Sequence, residues 1–266
     1  MRIDGYAAIE DYAVIGDGRT AALVARDGAI DWLCLPNLDS PGVLTALLDS
    51  DRGGTFSVTP AIPFESTRRY LPRTNVLETT FSTAQGSVRL LDAMTLPNDR
   101  LDPMRELVRT VESVSGRVPM RWRCAPRFDY GRLVPRCEWR HGVPVMTCGA
   151  EAVGIMSWGA GPPAFREGGA EADFEIDRDN RVLLAMTSTS SEPLVLPGRK
   201  DIETRLEQTI AFWQDWSNAH NYNGPWGDLV LRSALALKLM IFAPSGASVA
   251  SPTTSLPEQI GGQRNW

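Results

Sequence analysis

From residue 20 to about residue 196 the chain alternates short apolar runs, rich in β-formers, with polar turn pairs. Ala21–Arg26 and Ala29–Leu35 flank Asp27-Gly28. Asp-Gly between apolar runs predicts a tight hairpin, because both turn positions favour φ > 0. Val76–Thr83 and Val88–Met94 flank Gln85-Gly86 in the same way, and Leu107–Val114 and Val118–Cys124 flank Ser115-Gly116. A further pair is expected at Asp173–Ile176 and Arg181–Thr187, around Asp179-Asn180. Consecutive hairpins imply antiparallel sheets, and this many strands must close into a sandwich. One helix is expected to interrupt them, with Ser40 as N-cap, Pro41 at the first helical position and Val43, Leu44, Leu47 and Leu48 as its apolar stripe.

Near Pro197-Gly198 the period changes. Ile202, Leu206, Ile210, Trp213 and Trp216 recur at helical spacing, so they share one face of a helix that Asp201 is expected to cap. After a break at residues 221–224, Pro225 opens a second helix reaching about Phe242. It is apolar nearly all round: Leu229, Val230, Leu231, Leu235, Leu237, Leu239, Met240 and Ile241. Such a helix needs burial on most sides, which two helices cannot supply. Self-association through it is therefore expected. Residues 244–266 show turn-forming density and no periodicity.

Composition narrows the function. The 266 residues carry a net charge of −5, and the arginines are scattered, which excludes the basic footprint of a nucleic-acid binder. Leu229–Ala243 is too short, and too interrupted by Arg232 and Lys238, to span a membrane. The N-terminus has acids where a signal peptide needs an apolar run, and no cysteine pair has C-x-x-C spacing, so reduced thiols and a cytoplasmic setting are expected. Cys137, His141 and Cys148 are spaced more widely than structural zinc ligands favour. No cofactor is implied, since neither a nucleophile elbow nor a dinucleotide or phosphate loop is present, and Gly16-Asp17-Gly18 and Gly159-Ala160-Gly161 read as turns. Asp173, Glu175 and Asp177 alternate along one predicted strand and read as a solvated face that discourages edge pairing. Trp32, Trp122, Trp139 and Trp158 lie among β-formers, where burial is the usual fate, whereas Trp226 and Trp266 are the more plausible sugar contacts.

Several segments carry a family resemblance. They include Ile15-Gly16-Asp17, Arg19-Thr20-Ala21-Ala22-Leu23-Val24, Asp27-Gly28-Ala29-Ile30-Asp31-Trp32-Leu33-Cys34-Leu35-Pro36, Asn75-Val76-Leu77-Glu78-Thr79-Thr80-Phe81 and Pro126-Arg127-Phe128-Asp129-Tyr130-Gly131. Pro225-Trp226, Ala250-Ser251-Pro252-Thr253-Thr254-Ser255-Leu256-Pro257-Glu258 and Ile260-Gly261-Gly262-Gln263-Arg264-Asn265-Trp266 continue it. Together, in this order, they resemble glycoside hydrolase family 15, which includes glucoamylases, glucodextranases and trehalases. The resemblance implies a mainly β fold: a large antiparallel β-sandwich over residues 1–198, a helical linker over 199–222 and the start of an (α/α)6 catalytic barrel over 223–266. It further implies inverting hydrolysis of an α-glucoside substrate by two glutamates that lie downstream of Trp266 in the family. Glu258 matches a structural motif rather than the catalytic acid. The expectation is thus a chain that stops early in its barrel, without catalytic residues, with Arg264, Asn265 and Trp266 at the rim of the sugar site. The alternative is a non-catalytic β-sandwich module that binds carbohydrate or protein.

Overall fold

The structure is a computed structural model and describes residues 2–96, 105–220 and 222–253. In chain order its strands are β1 (Ala13–Gly16), β2 (Ala21–Val24), β3 (Ala29–Cys34), β4 (Gly42–Leu44), β5 (Thr55–Pro60), β6 (Phe64–Tyr70), β7 (Leu77–Thr83), β8 (Gly86–Met94) and β9 (Arg105–Gly116). They continue as β10 (Val118–Ala125), β11 (Arg136–Arg140), β12 (Val143–Cys148), β13 (Glu151–Trp158), β14 (Ala164–Arg166), β15 (Gly169–Ile176) and β16 (Arg181–Ser190). Helices α1 (Arg199–Ala219) and α2 (Gly227–Leu239) follow, and then a short ribbon, β17 (Ile241–Phe242) with β18 (Ala247–Ser248).

Among the described residues two eight-stranded antiparallel sheets face each other. The first runs β1-β2-β3-β5-β10-β15-β14, with β4 also on β3; the second runs β11-β12-β13-β16-β9-β8-β7-β6. Alternation builds the core between them. On β10, Met120, Trp122 and Cys124 point inward while Arg121 and Arg123 point out. They meet Phe81, Val88, Leu90, Val111, Ile155 and Leu184 of the second sheet. In β9 and β16 the alternation disappears into continuous buried runs. The reason is α1, whose Ile202 and Leu206 cover the outer face of the second sheet at Val108, Leu183 and Ala185. Over β10 and β15 the outer face of the first sheet is polar. There Arg121 meets Asp173 at 2.6 Å and Arg123 meets Glu171 at 2.6 Å, each directly opposite its partner in the β10–β15 register, and Arg117 reaches Glu175 and Asp177. The acidic stripe is therefore a paired, solvated face.

One polar group crosses the core. Arg109 Nε donates to Asp92 Oδ1 at 2.7 Å, and both side chains are 0% exposed. Its other nitrogens donate across the sandwich to Phe56 O at 2.6 Å and Gly28 O at 2.7 Å, and the guanidinium lies 4.9 Å from the Phe56 ring centre. One arginine of the second sheet is thereby pinned to two carbonyls of the first.

The mainly β class, the sandwich and the order of strands before helices agree with the sequence reading, and the structure corrects several details. The hairpins around Asp27-Gly28 and Gln85-Gly86 form. In the first, only Gly28 has positive φ (83°), because Ala25 N–H closes onto Ala29 O and leaves Asp27 outside the left-handed region. The other two strand pairs are not hairpins. β9 and β10, and likewise β15 and β16, belong to opposite sheets, so Ser115-Gly116 and Asp179-Asn180 are corners. Gly116 has φ 72°, and a Cβ there would sit 2.1 Å from Gln85 O. No helix forms at residues 40–48. Gly42–Leu44 pairs with β3, burying Val43 and Leu44, and the chain turns at Thr45. A short apolar run fits either period, and strand pairing decides it. Asp201 lies in the first turn of α1, while Gly198 holds the cap position. Trp139 is 50% exposed rather than buried, because β11 is an edge strand and its ring rests on Phe165 of the other sheet's edge. Helix α2 stops at Leu239, short of the expected Phe242, and residues 241–248 form a ribbon where the helix end and turns were expected.

Candidate functional site

The two helices and the segment after them pack on the sandwich. Serine, threonine and asparagine fix them to the sandwich. Leu96 N–H donates to Thr209 Oγ1 at 3.0 Å, Ser217 Oγ donates to Arg73 O at 2.8 Å and Asn75 Nδ2 donates to Leu235 O at 3.1 Å. Arg232 donates to Thr74 O and to the Asn75 side chain, and stacks over Tyr70 with 4.0 Å to the ring centre. A small apolar cluster of Trp213, Leu235 and Leu239 joins α1 to α2. The rest of α2 stays open: Leu229, Val230 and Leu237 are exposed, and Trp226, before its first turn, is 77% exposed with φ 64°. This agrees with the expectation of an apolar helix left uncovered.

Two grooves open on the surface, the second of them beside the helices. One, of about 980 Å³, is apolar and lined by Ile9, Tyr12, Val14, Leu48, Tyr70 and Pro252, among others. The other, of about 870 Å³, lies between the Asp17-Gly18 turn and α1, with Arg205, Thr209, Trp213 and Lys238 on its wall.

Acid–base chemistry in a cleft needs a carboxyl with a free oxygen and a shifted pKa. Most buried carboxylates here are fully engaged. Asp92 is bound by Arg109, and Asp31 accepts from Arg2, Tyr12 and Thr55. Glu78 is bracketed by Arg69 and Arg89, and Glu106 accepts from Thr95 and a two-pronged contact from Arg205. Asp17 is the exception. Its Oδ1 accepts the N–H groups of Arg19 and Thr20, both at 2.8 Å, which shapes the turn, but among the described residues its buried Oδ2 has no hydrogen-bond partner. Arg105 Nε stands off at 3.9 Å. Burial pushes the Asp17 carboxyl above the usual carboxylate range, against the opposing pull of Thr20 N–H and Arg105.

A raised folded-state pKa means that the native state holds the proton longer than the unfolded chain. Wild type should therefore lose stability relative to Asp17→Asn as pH rises from about 3.9, the unfolded value. Below that pH the carboxyl is neutral both folded and unfolded, and the difference between the two proteins should stop changing with pH. Denaturant midpoints of the two proteins across pH 3 to 7 read this out; a difference independent of pH would refute it.

The sequence-predicted site residues Arg264, Asn265 and Trp266, with Glu258, lie outside the described residues. All four cysteines are free thiols, and burial pushes Cys34 up to about 12. Among the described residues no group of three or more His, Cys, Asp and Glu is placed to hold a metal ion, and no helix is long and apolar enough to cross a membrane. Pattern reading passed over Asp17 as a simple turn residue. Its signal was an acid between glycines directly before an apolar strand.

Residues 4–209 match the family described as Trehalase-like, N-terminal. The chain belongs to this trehalase-like N-terminal family, and the resemblance to glycoside hydrolase family 15 holds through its trehalases. It is 34% identical over 282 residues to a trehalase of Thermoplasma volcanium, covering 100% of this chain and 43% of that protein. It is 34% identical over 296 residues to a trehalase of Mycobacterium tuberculosis, covering 98% of this chain and 41% of the relative. A trehalase of Mycolicibacterium smegmatis is 33% identical over 290 residues, covering 98% and 42%. The chain thus spans less than half the length of the curated relatives it matches.

Proposed function

We propose that this chain is the N-terminal portion of an inverting α-glucosidase acting on trehalose or on α-glucan oligosaccharides, and that it braces a helical catalytic barrel. Residues 1–198 are its sandwich domain, 199–222 the linker and 223–266 the entry to the barrel. The observation that carries this reading is similarity along the whole chain to proteins named trehalase, each more than twice its length. The open face of α2 supports it, since a helix exposing Leu229, Val230 and Leu237 calls for a partner surface. In the reaction one carboxylic acid protonates the leaving oxygen and an opposing carboxylate activates water. Both belong to the barrel. Arg264, Asn265 and Trp266 belong at the rim of the sugar site.

The purified 266-residue chain is expected to release no glucose from trehalose or maltooligosaccharides, and to self-associate through α2. A polypeptide that continues into the barrel is expected to hydrolyse one of them. Glucose assays and sedimentation at several concentrations check both points. Glucose release by the short chain, with contaminants excluded, would overturn the scaffold reading, and a clean monomer would overturn the role of α2. The exposure of Trp139 and Trp226 favours one other reading, a carbohydrate-binding module. Calorimetric binding of trehalose or maltoheptaose by the short chain would select it.

A further inference from the structure

Residues 2–12 lie against the sandwich without entering it. None of them is buried, and none joins an apolar cluster. Among the described residues their backbone-to-backbone hydrogen bonds stay inside the segment. Asp4 (φ 50°) and Gly5 (φ 86°) make a tight turn, across which Ile3 and Tyr6 exchange two hydrogen bonds of 2.9 Å. An isolated turn of this kind is marginal in water, so its order comes from where it is tied.

One buried oxygen ties both ends. Asp31 is 1% exposed, and its Oδ2 accepts from Arg2 Nη2 at 2.8 Å and from the Tyr12 hydroxyl at 2.8 Å. The chain between Arg2 and Tyr12 is therefore a loop fastened at a single point. Arg2 Nε also donates to Asp27 at 2.6 Å, and Nη1 returns to Gly5 O at 3.0 Å, so the guanidinium fixes the turn as well as the end. Burial, followed by the Asp31 charge, pushes the Tyr12 phenol above its ordinary range, so it remains a donor. The other ties are weaker. Ser50 Oγ donates to Asp4 O at 3.4 Å and Ser50 N–H to the Tyr6 hydroxyl at 3.3 Å, and the exposed Arg26 pairs with Asp11. The same segment lines a cavity. Tyr6, Ala7, Ile9 and Tyr12 bound the apolar groove of about 980 Å³ together with Leu48 and Tyr70.

We propose that residues 2–12 are a strap latched on Asp31, and that release of Arg2 swings the strap away and opens the apolar groove. The hinge is the start of β1, where Ala13 enters the sheet opposite Val24. Opening breaks no contact of the core, so it is a local event that leaves the sandwich folded.

Hydrogen exchange on the 266-residue chain tests it at the bonded amides of Ile3, Tyr6, Asp11 and Tyr12. Arg2→Ala should accelerate exchange there about tenfold or more, while amides of β2 and β3 keep their protection. Tyr12→Phe should act in the same direction, because it leaves Asp31 Oδ2 one donor short. Ser50→Ala, which removes only a long contact, should change the rates less than about twofold. In Arg2→Ala the emission of the apolar dye anilinonaphthalene sulfonate should rise as the groove is uncovered. Unchanged exchange at these four amides in both latch variants overturns the strap. Faster exchange with unchanged dye emission overturns its control of the groove. Acceleration that spreads into β2 and β3 overturns the local event, since the segment would then unfold with the sandwich.

Discussion

Replacing Arg109 with leucine should cost about 3–5 kcal/mol, a large part of the roughly 5–15 kcal/mol that holds a typical domain folded. The argument is one of orphaned partners. Arg109 and Asp92 are both fully buried, and the guanidinium also serves Phe56 O and Gly28 O. Removing it leaves a carboxylate in the core and loses two hydrogen bonds that join the sheets. The second half of the experiment is the informative one. Replacing Asp92 with leucine as well removes the stranded charge, so the double variant should recover much of the loss. Denaturant unfolding of the two single variants and the double measures the coupling. Simple additivity would show that the pair is not the source of the cost.

Trp213→Ala should act locally and almost as strongly. Trp213, Leu235 and Leu239 form the smallest of the apolar clusters among the described residues, and they hold α2 against α1. Truncating a buried tryptophan costs about 3–5 kcal/mol where the site cannot collapse. Here the loss should fall on helix docking. Amide exchange over Gly227–Leu239 should accelerate about a hundredfold or more while amides of β9 and β16 keep their protection. Equal acceleration everywhere would mean that α2 and the sandwich unfold as one unit.

Much of this architecture is legible in the sequence where local chemistry and tertiary structure agree. Gly28 and Gly86 mark hairpins that form, and the Ile202, Leu206, Trp213 stripe marks the buried face of α1. Legibility fails where the deciding contact is distant. Two residues between strands look alike whether the chain returns beside its neighbour or crosses to the facing sheet, and at Ser115-Gly116 it crosses. Val43 and Leu44 satisfy a helical stripe, yet Leu33 of β3 claims them as a strand. Arg109 is one of many scattered arginines, and nothing local marks it as the one inside the core. The candidate site is the least legible part. Asp17 reads as a turn residue between glycines, and the burial that sets its carboxyl apart comes from packing that residue types alone do not reveal.

The unequal treatment of the two sheets gives the molecule a back and a front. The back is the arginine–carboxylate ladder of β10 and β15, already neutralised pair by pair and wetted by solvent. The front carries α1 and the groove along it. A fused label or a surface tether on the ladder side should be invisible to whatever docks in front, whereas the same addition beside Trp226 would stand in the doorway.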